Sequence, residues 1–246
     1  MMRRISLYVV CLVSALIVWE YYGRDNNKVR LLVSYPSLVY TYFGSNGSLL
    51  LQATLFTFLE SFSGLLLAAA FSFSIMFACF YSPRLLRFLL PIMIASQVIP
   101  LITLAPLLIM IFGIGIKAKV VMAALMCFFP LFINFLSGYV SIPRTTNEML
   151  YLYGASTWFR ITRVNVPLSL PSIFAGLKIS ATLSVIGAIV AEFNGAEYGL
   201  GKNLYLAAKR LEPELVVSSI IITALLGGVM YGMVWLLERR VGRWYL

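Results

Sequence analysis

The sequence predicts an all-α, polytopic membrane protein of about six transmembrane helices, and three observations carry that prediction. Of 246 residues, 61% are hydrophobic and only 11% charged, against about half apolar and a quarter charged in soluble domains. The mean hydropathy is +0.93. The apolar residues also fall into runs of the roughly 20 residues that cross a bilayer at 1.5 Å each, separated by breaks rich in Pro, Gly and charge.

Residues 5–19, ISLYVVCLVSALIVW, follow MMRR and read as a first spanning helix. A signal peptide is the alternative, but no small-x-small cleavage site follows, and Trp19, Tyr21 and Tyr22 resemble an interfacial aromatic belt. Residues 20–48 are polar, with Pro36, Gly44 and Gly47 as punctuation, and are expected to form an external segment; residues 1–48 make the N-terminal unit. The region 49–81 is long for one span, so its first turns are expected to be an amphipathic lead-in.

After SPRLLR at 82–87, a run from 88 to 113 contains Pro91, Pro100 and Pro106. Proline removes a backbone donor and kinks a helix, which a membrane tolerates only where protein or a watery cavity satisfies the freed carbonyl. This run is therefore a candidate pore-lining helix, with Pro100 and Pro106 as candidate pore or gate residues. GIGIKAK and a run from 119 to 140 come next. GIGIKAK lacks the GK[ST] ending of a phosphate-binding loop.

Residues 141–172 interrupt the apolar pattern. A span from 173 to about 195, a Gly-rich turn with an amphipathic piece (GAEYGLGKNLYLAAKR), a last span from 214 to 237 and a tail complete the chain, giving a core over 49–240 and a tail at 241–246. Both termini then lie on one side. Placing them in the cytoplasm puts Arg3, Arg4, Arg84, Arg87, Arg144, Arg160, Arg163, Arg239, Arg240 and Arg243 there, with Arg24, Lys28, Arg30, Lys117, Lys119, Lys202, Lys209 and Arg210 outside. The bias is weak, and charge supports this topology without deciding it.

The net charge of +10 belongs to membrane orientation and contact with anionic lipid, not to nucleic acid. Cys11, Cys79 and Cys127 are scattered in apolar runs, which fits core filling better than a disulfide or a metal site. With no His and no clustered carboxylates, a membrane-embedded enzyme is disfavoured, and no cofactor is expected. A stand-alone secondary transporter would explain broken helices, but no inverted repeat is visible.

Ionisable residues inside spans are costly and default to functional hypotheses. Glu60 in TFLESFSG is the sharpest of them, as a pore residue or as a hydrogen-bond partner of Ser61, Ser63 or a neighbouring helix. Gln97 and Asn134 line a pore or hold helices together. Glu192 and Asn194, beside Gly195 and Gly199, fall where the fifth helix reaches the outer surface. The small residues Gly176, Ala181, Ser184, Gly187, Ala188 and Ala191 form a face for close helix approach, expected across a dimer.

The 141–172 interruption has the local chemistry of two short helices. Thr145 and Thr146 are candidate N-caps, Glu148 suits the positive end of the following turn, and Met149, Leu152 and Tyr153 form an apolar face. Gly154 and Ala155 make a small-residue corner. Ser156 starts a second helix carrying Trp158 and Phe159, and Pro167 and Pro171 are expected to end it. Rimmed by Arg160 and Arg163, this makes a knob suited to a groove on another protein; the plain alternative is a solvated loop packed on its own helices.

Glu148, Gly154 six residues later, Ala155 and Pro167 resemble the EAA loop of the membrane subunits of bacterial ABC importers, with Met149 and Leu150 in place of the two Ala that name the motif. VSYPSLVY, SQVIPLITLAPLLIMIFGIG, CFFPLFIN, AGLKISATLSVIGAIVAEFNGAEYGLG and LERRVGRW are similar to the nitrate, sulfonate and taurine branch. The resemblance implies the type I, MetI-like permease fold in a bacterial inner membrane and two permease copies around one pore. It also implies cytosolic ATPase subunits docked on the EAA loops and an extracytoplasmic substrate-binding protein. Catalysis would belong to the ATPase. Where many members of the branch carry Arg, Glu60 looks more like permeases for thiamine pyrimidine precursors and riboflavin, so the implied substrate is a heterocyclic cofactor precursor, with a sulfonate, taurine or nitrate as the alternative. The resemblance further implies an outer gate or binding-protein contact at Glu192 and Asn194.

Overall fold

A computed structural model describes residues 2–25 and 34–242, with the side chains of 2–9, 12, 25 and 83 excepted. Lys28, Arg30 and the tail from Arg243 onward lie outside the described residues, as do the side chains of Arg3 and Arg4. All regular structure among the described residues is helical.

Helix α1 is Met2–Asp25 and α2 is Pro36–Tyr81, the latter 46 residues long with one non-helical residue, Asn46, at φ −118°, ψ 21°. The described parts of the segment expected to be an external, punctuated stretch, 20–25 and 36–48, are thus helical. Pro36 sits in the first turn, where its missing N–H would have no partner anyway, so it starts a helix where a break was expected. The two helices are tied near their junction. Glu20 accepts from the Ser37 backbone N–H at 3.0 Å and the Ser37 hydroxyl at 2.7 Å, and the Trp19 indole donates to the Ser34 carbonyl at 2.8 Å.

The three-proline run is not one helix. Helix α3, Pro83–Ser96, is followed by a 3-10 turn at Leu101–Leu104 and helix α4, Ala105–Phe112, and the two arms are bent by 87°. The break falls at Pro100, where the chain is extended, φ −61°, ψ 110°. Pro106, in the first turn of α4, starts that helix.

Helix α5 is Ile116–Val140, α6 is Arg144–Leu152, α7 is Thr157–Glu192, α8 is Leu200–Arg210 and α9 is Pro213–Gly242. Pro167 and Pro171 do not end the helix that starts at Ser156. A π-helical turn at Ile161–Asn165 shifts the hydrogen bonding so that Val166 N–H reaches the Ile161 carbonyl, and the helix passes through both prolines unbroken. Such a turn absorbs the register change that a missing donor imposes.

The centre of the molecule is α5 against α7, flanked by α2 and α9. Cys127 and Ser180 stitch α5 to α7 reciprocally, each side chain donating to the other's carbonyl at 3.0 Å. The small face of α7 serves this contact and not a dimer seam. A Cβ on Gly187 would fall 2.7 Å from Ala123 Cα, one on Gly176 would fall 2.7 Å from Asn134 Cβ, and Ala181, Ser184, Ala188 and Ala191 are buried within the chain. Cys79 and Cys127 are buried free thiols, as core filling requires, and Cys11 is exposed.

By length and composition α2, α5, α7 and α9 are each able to cross a membrane, and the bent α3–α4 pair makes a fifth span. At 24 residues, about 36 Å, α1 has the length for a sixth. The exposed surface of α2 carries Leu51, Leu55, Leu59, Leu66 and Phe71, as a face turned to lipid requires.

Candidate functional site

Chemistry collects at the two ends of the bundle. At one end, Phe80 of α2 packs on Tyr139 of α5 with ring centroids 4.6 Å apart, and Phe77 meets Trp158 at 5.5 Å. This places the end of α2, the end of α5 and the start of α7 together, with α6 beyond them.

Helix α6 is capped differently from the expectation. Its N-cap is Pro143, with no side-chain cap bond, and Thr145 and Thr146 lie in the first turn. Its C-terminus closes as a Schellman motif: Ala155 N–H donates to the Leu150 carbonyl at 2.9 Å and Gly154 N–H to that of Tyr151 at 3.0 Å. Gly154 has φ +73°, a conformation that strains any residue with a Cβ. Ser156 caps the next helix as expected, its Oγ accepting from Phe159 N–H at 3.2 Å.

The expected apolar face of α6 is present and lies open. Met149 is 56% exposed, Leu152 83% and Tyr153 83%. Other residues of α6 and of α7 line a cavity of about 480 Å³, among them Arg144, Glu148, Arg160 and Asn165. Arg160 donates to Thr157 Oγ1 at 3.2 Å and stands 5.8 Å from the Tyr151 ring. Its Nε and Asn165 Oδ1 are buried without a partner among the described residues. Arg163 and Pro167 stand on α7, in and just after its π-helical turn.

At the opposite end, the beginning of α5, the end of α7 and α8 converge on α2. Lys119 Nζ lies 2.9 Å from Glu60 Oε1, and both side chains are at least nine-tenths buried. Glu192 is also buried, not at a wet interface: its Oε1 takes a 2.7 Å hydrogen bond from Thr57, and its Oε2 accepts from Gly201 N–H at 2.5 Å. Leu200 N–H donates to Thr57 Oγ1 at 2.9 Å. Thr57 and Glu192 thus occupy the N-terminus of α8, whose free N–H groups and positive dipole end favour a carboxylate. Glu60 and Glu192 lie within hydrogen-bonding reach of each other. Carboxylates that looked scattered along the sequence are therefore clustered.

Lys119, read as an external loop charge, is the residue that sequence reasoning missed. Its position three residues into an apolar helix was the available signal. Lys178 was missed likewise and pairs with Glu238 at 2.5 Å, joining α7 to α9. The remaining expected residues do not gather here. Gln97, Pro100 and Pro106 are exposed around the α3–α4 bend. Asn134 donates to the Pro130 carbonyl of its own helix at 2.8 Å, and exposed Asn194 to the Val190 carbonyl at 3.1 Å. No group of His, Cys, Asp or Glu suited to a metal ion occurs among the described residues.

Comparison with known proteins accords with this arrangement. The riboflavin transport system permease protein of Chloroflexus aurantiacus is 38% identical over 156 residues, 63% of this chain and 58% of that protein's length. The formylaminopyrimidine transport permease protein of Halalkalibacterium halodurans is 32% identical over 229 residues, covering 93% of this chain and 92% of the relative. A putative aliphatic sulfonates transport permease protein of Bacillus subtilis is 29% identical over 181 residues, 74% of this chain and 66% of the relative. Residues 70–243, most of the chain and including the Gly154 corner, match the binding-protein-dependent transport system inner membrane component, and the chain belongs to that family, as an ABC transporter permease subunit of the MetI type.

Proposed function

We propose that the chain forms half of the translocation pore of an ATP-driven importer in a bacterial cell membrane, paired with a second permease copy. Helix α6 and the Gly154 corner dock a separate cytosolic ATPase, and the α8 end faces an extracytoplasmic substrate-binding protein. Residues 49–240 are the permease core in this reading, and both termini are cytoplasmic.

The observation that carries it is the open apolar face of Met149, Leu152 and Tyr153 on a helix whose Arg144 and Glu148, with Arg160, also edge a cavity. An amphipathic helix that leaves its apolar face in water at the end of a membrane bundle needs a protein groove to cover it. Closure of the ATPase dimer would then draw two such helices together and rock the spans as rigid bodies between two packed states. Arg84, Arg87, Arg144, Arg160, Arg163, Arg239 and Arg240 fall towards this end, in keeping with a cytoplasmic surface.

The substrate is a small heterocyclic cofactor precursor of the thiamine-pyrimidine or riboflavin type. The formylaminopyrimidine relative, alignable over nearly the whole chain, supports this. So does the Glu60–Lys119 pair, which ties up the cation that an anionic substrate would seek. The sulfonate relative favours a second reading, a permease for sulfonates or a related anion.

The test is co-isolation with an ABC-importer ATPase subunit from the same cell, together with reconstituted uptake. Gly154→Asp and Glu148→Lys are expected to abolish coupling while the bundle stays folded. Untouched assembly and uptake in both variants would remove the docking reading. Uptake driven by a binding protein loaded with a sulfonate would replace the heterocycle.

A further inference from the structure

Three ionisable side chains are buried together at the α8 end of the bundle, Glu60 of α2, Lys119 of α5 and Glu192 of α7. Lys119 Nζ lies 2.9 Å from Glu60 Oε1, and the Glu60 and Glu192 carboxyls lie within hydrogen-bonding reach of each other. With both carboxyls ionised, one ammonium would face two adjacent anions. Like charges at such range, taken out of water, do not persist together, and one of them takes up a proton.

The Glu60 carboxyl shows the same deficit atom by atom. Its Oε2 is closed off from solvent and accepts no hydrogen bond, a costly state for a buried carboxylate oxygen. Neither water, a metal ion nor a substrate reaches an oxygen without open surface, so the missing donor has to be a neighbouring side chain. The nearby donors are committed: Thr57 and the Gly201 N–H to Glu192, the Leu200 N–H to Thr57, and Lys119 to Glu60 Oε1. What remains is the Glu192 carboxyl. Two carboxyl groups meet in a hydrogen bond only with a proton between them.

Lys119 decides which of the two holds it. A full ammonium charge sits against Glu60, whereas Glu192 has hydroxyl and amide donors and the roughly half charge of a helix N-terminus. The titratable groups around the pair leave that order intact. Glu197 and Tyr198, in the turn before α8, line a pocket with Glu60 and Lys119, and Lys202 of α8 is turned to the Glu197 carbonyl and the Tyr198 ring. Glu197 adds to the negative excess, and no other ionisable side chain among the described residues lines that pocket.

We infer that Glu192 is a proton-binding site: it holds a proton, donates it to the Glu60 carboxylate, and with the Thr57 and Gly201 contacts latches α8 against α2 and α7. Opening the latch wets Glu192, and a glutamate in water is ionised at neutral pH. Each opening of the α8 end therefore releases one proton.

Infrared spectroscopy of the full chain in lipid nanodiscs at neutral pH, with carbon-13 in the glutamate side chains, tests the proton directly. An isotope-shifted carboxylic acid band is expected beside the carboxylate bands of the exposed glutamates, and Glu192→Gln is expected to remove it. Amide exchange over residues 200–207, corrected for intrinsic rates, tests the latch. The closed site holds one proton more than the open one, so raising the pH favours opening, by about tenfold between pH 6 and pH 7. In Glu192→Gln, whose amide still donates to Glu60 but does not titrate, the opening equilibrium is expected to be independent of pH. Absence of the acid band, its persistence in Glu192→Gln, or a pH dependence that is missing in the unmodified chain or identical in the variant would overturn the inference. Should Glu192→Gln fail to fold, the band and the pH slope of the unmodified chain still decide.

Discussion

Lys119 Nζ and Glu60 Oε1, 2.9 Å apart and hidden from solvent, join the start of α5 to α2. Attraction between two buried charges roughly offsets their loss of hydration, but removing one of them leaves the other uncompensated, which costs about 3–5 kcal/mol. Lys119→Met and Glu60→Gln are therefore each expected to lower the thermal unfolding temperature of the chain in detergent by many degrees. Replacing both partners with apolar residues of similar volume is expected to recover most of that loss. Equal destabilisation in the single and double variants would show that the pair contributes packing alone.

Glu192 offers a second, independent handle because two glycines make room for its carboxylate. A Cβ on Gly201 would fall 2.5 Å from the Ile189 carbonyl oxygen and 2.8 Å from Glu192 Oε2, and Gly199 at φ +134° approaches the same carboxyl. Gly201→Ala must push Glu192 off the α8 N-terminus, an overpacking of about 1–3 kcal/mol. Hydrogen exchange is expected to show lost protection over 200–207 with α5 unaffected. Unchanged protection would mean that α8 is held by Leu200 and Ala207 packing and not by the cap.

The contrast between these sites and the α6 corner explains what the sequence discloses. The corner is local: Glu148, Gly154, Ala155 and Ser156 stand within nine residues, and a glycine requiring positive φ followed by a helix-capping serine is legible as such. The Glu60–Lys119 bond spans 59 positions and the Thr57–Glu192 bond 135, and no periodicity announces which distant charge a buried carboxylate will find. Lys119 looked like a loop residue because it closes GIGIKAK and the apolar run was taken to begin only at 119, whereas α5 starts at Ile116. Prolines misled in both directions. Pro36 and Pro106 start helices, and a π-helical turn carries α7 through Pro167, because a proline's effect depends on which carbonyl its missing N–H would have met. The small face of α7 was correctly read as a contact surface, but small residues do not say whether the partner helix belongs to the same chain.

At Gly154 geometry separates backbone strain from crowding. Nothing lies within 4 Å of an added Cβ, yet φ is +73°. Gly154→Ala is expected to cost about 1–2 kcal/mol through left-handed strain alone, and Gly154→Asn less, since Asn tolerates that region. Hydrogen exchange on α6 measures the local opening. Coupled uptake is expected to fall in the order Gly, Asn, Ala; identical loss for Asn and Ala would point to a need for a bare backbone at a partner surface.

The apolar cap distinguishes a docking helix from an ordinary loop most directly. Leu152 and Tyr153 are each 83% exposed, so Leu152→Glu and Tyr153→Glu remove almost no packing within the chain. Surface changes of this kind alter stability by no more than about 0.5 kcal/mol. In a protein groove the same changes bury a carboxylate without a partner, at a penalty of several kcal/mol, enough to disperse a modest interface. Both variants are therefore expected to unfold at the temperature of the unmodified chain and to lose the ATPase in co-isolation and in stimulated hydrolysis. A marked loss of thermal stability would show instead that the two side chains pack on their own helices, and α6 would then be only a solvated connection between spans.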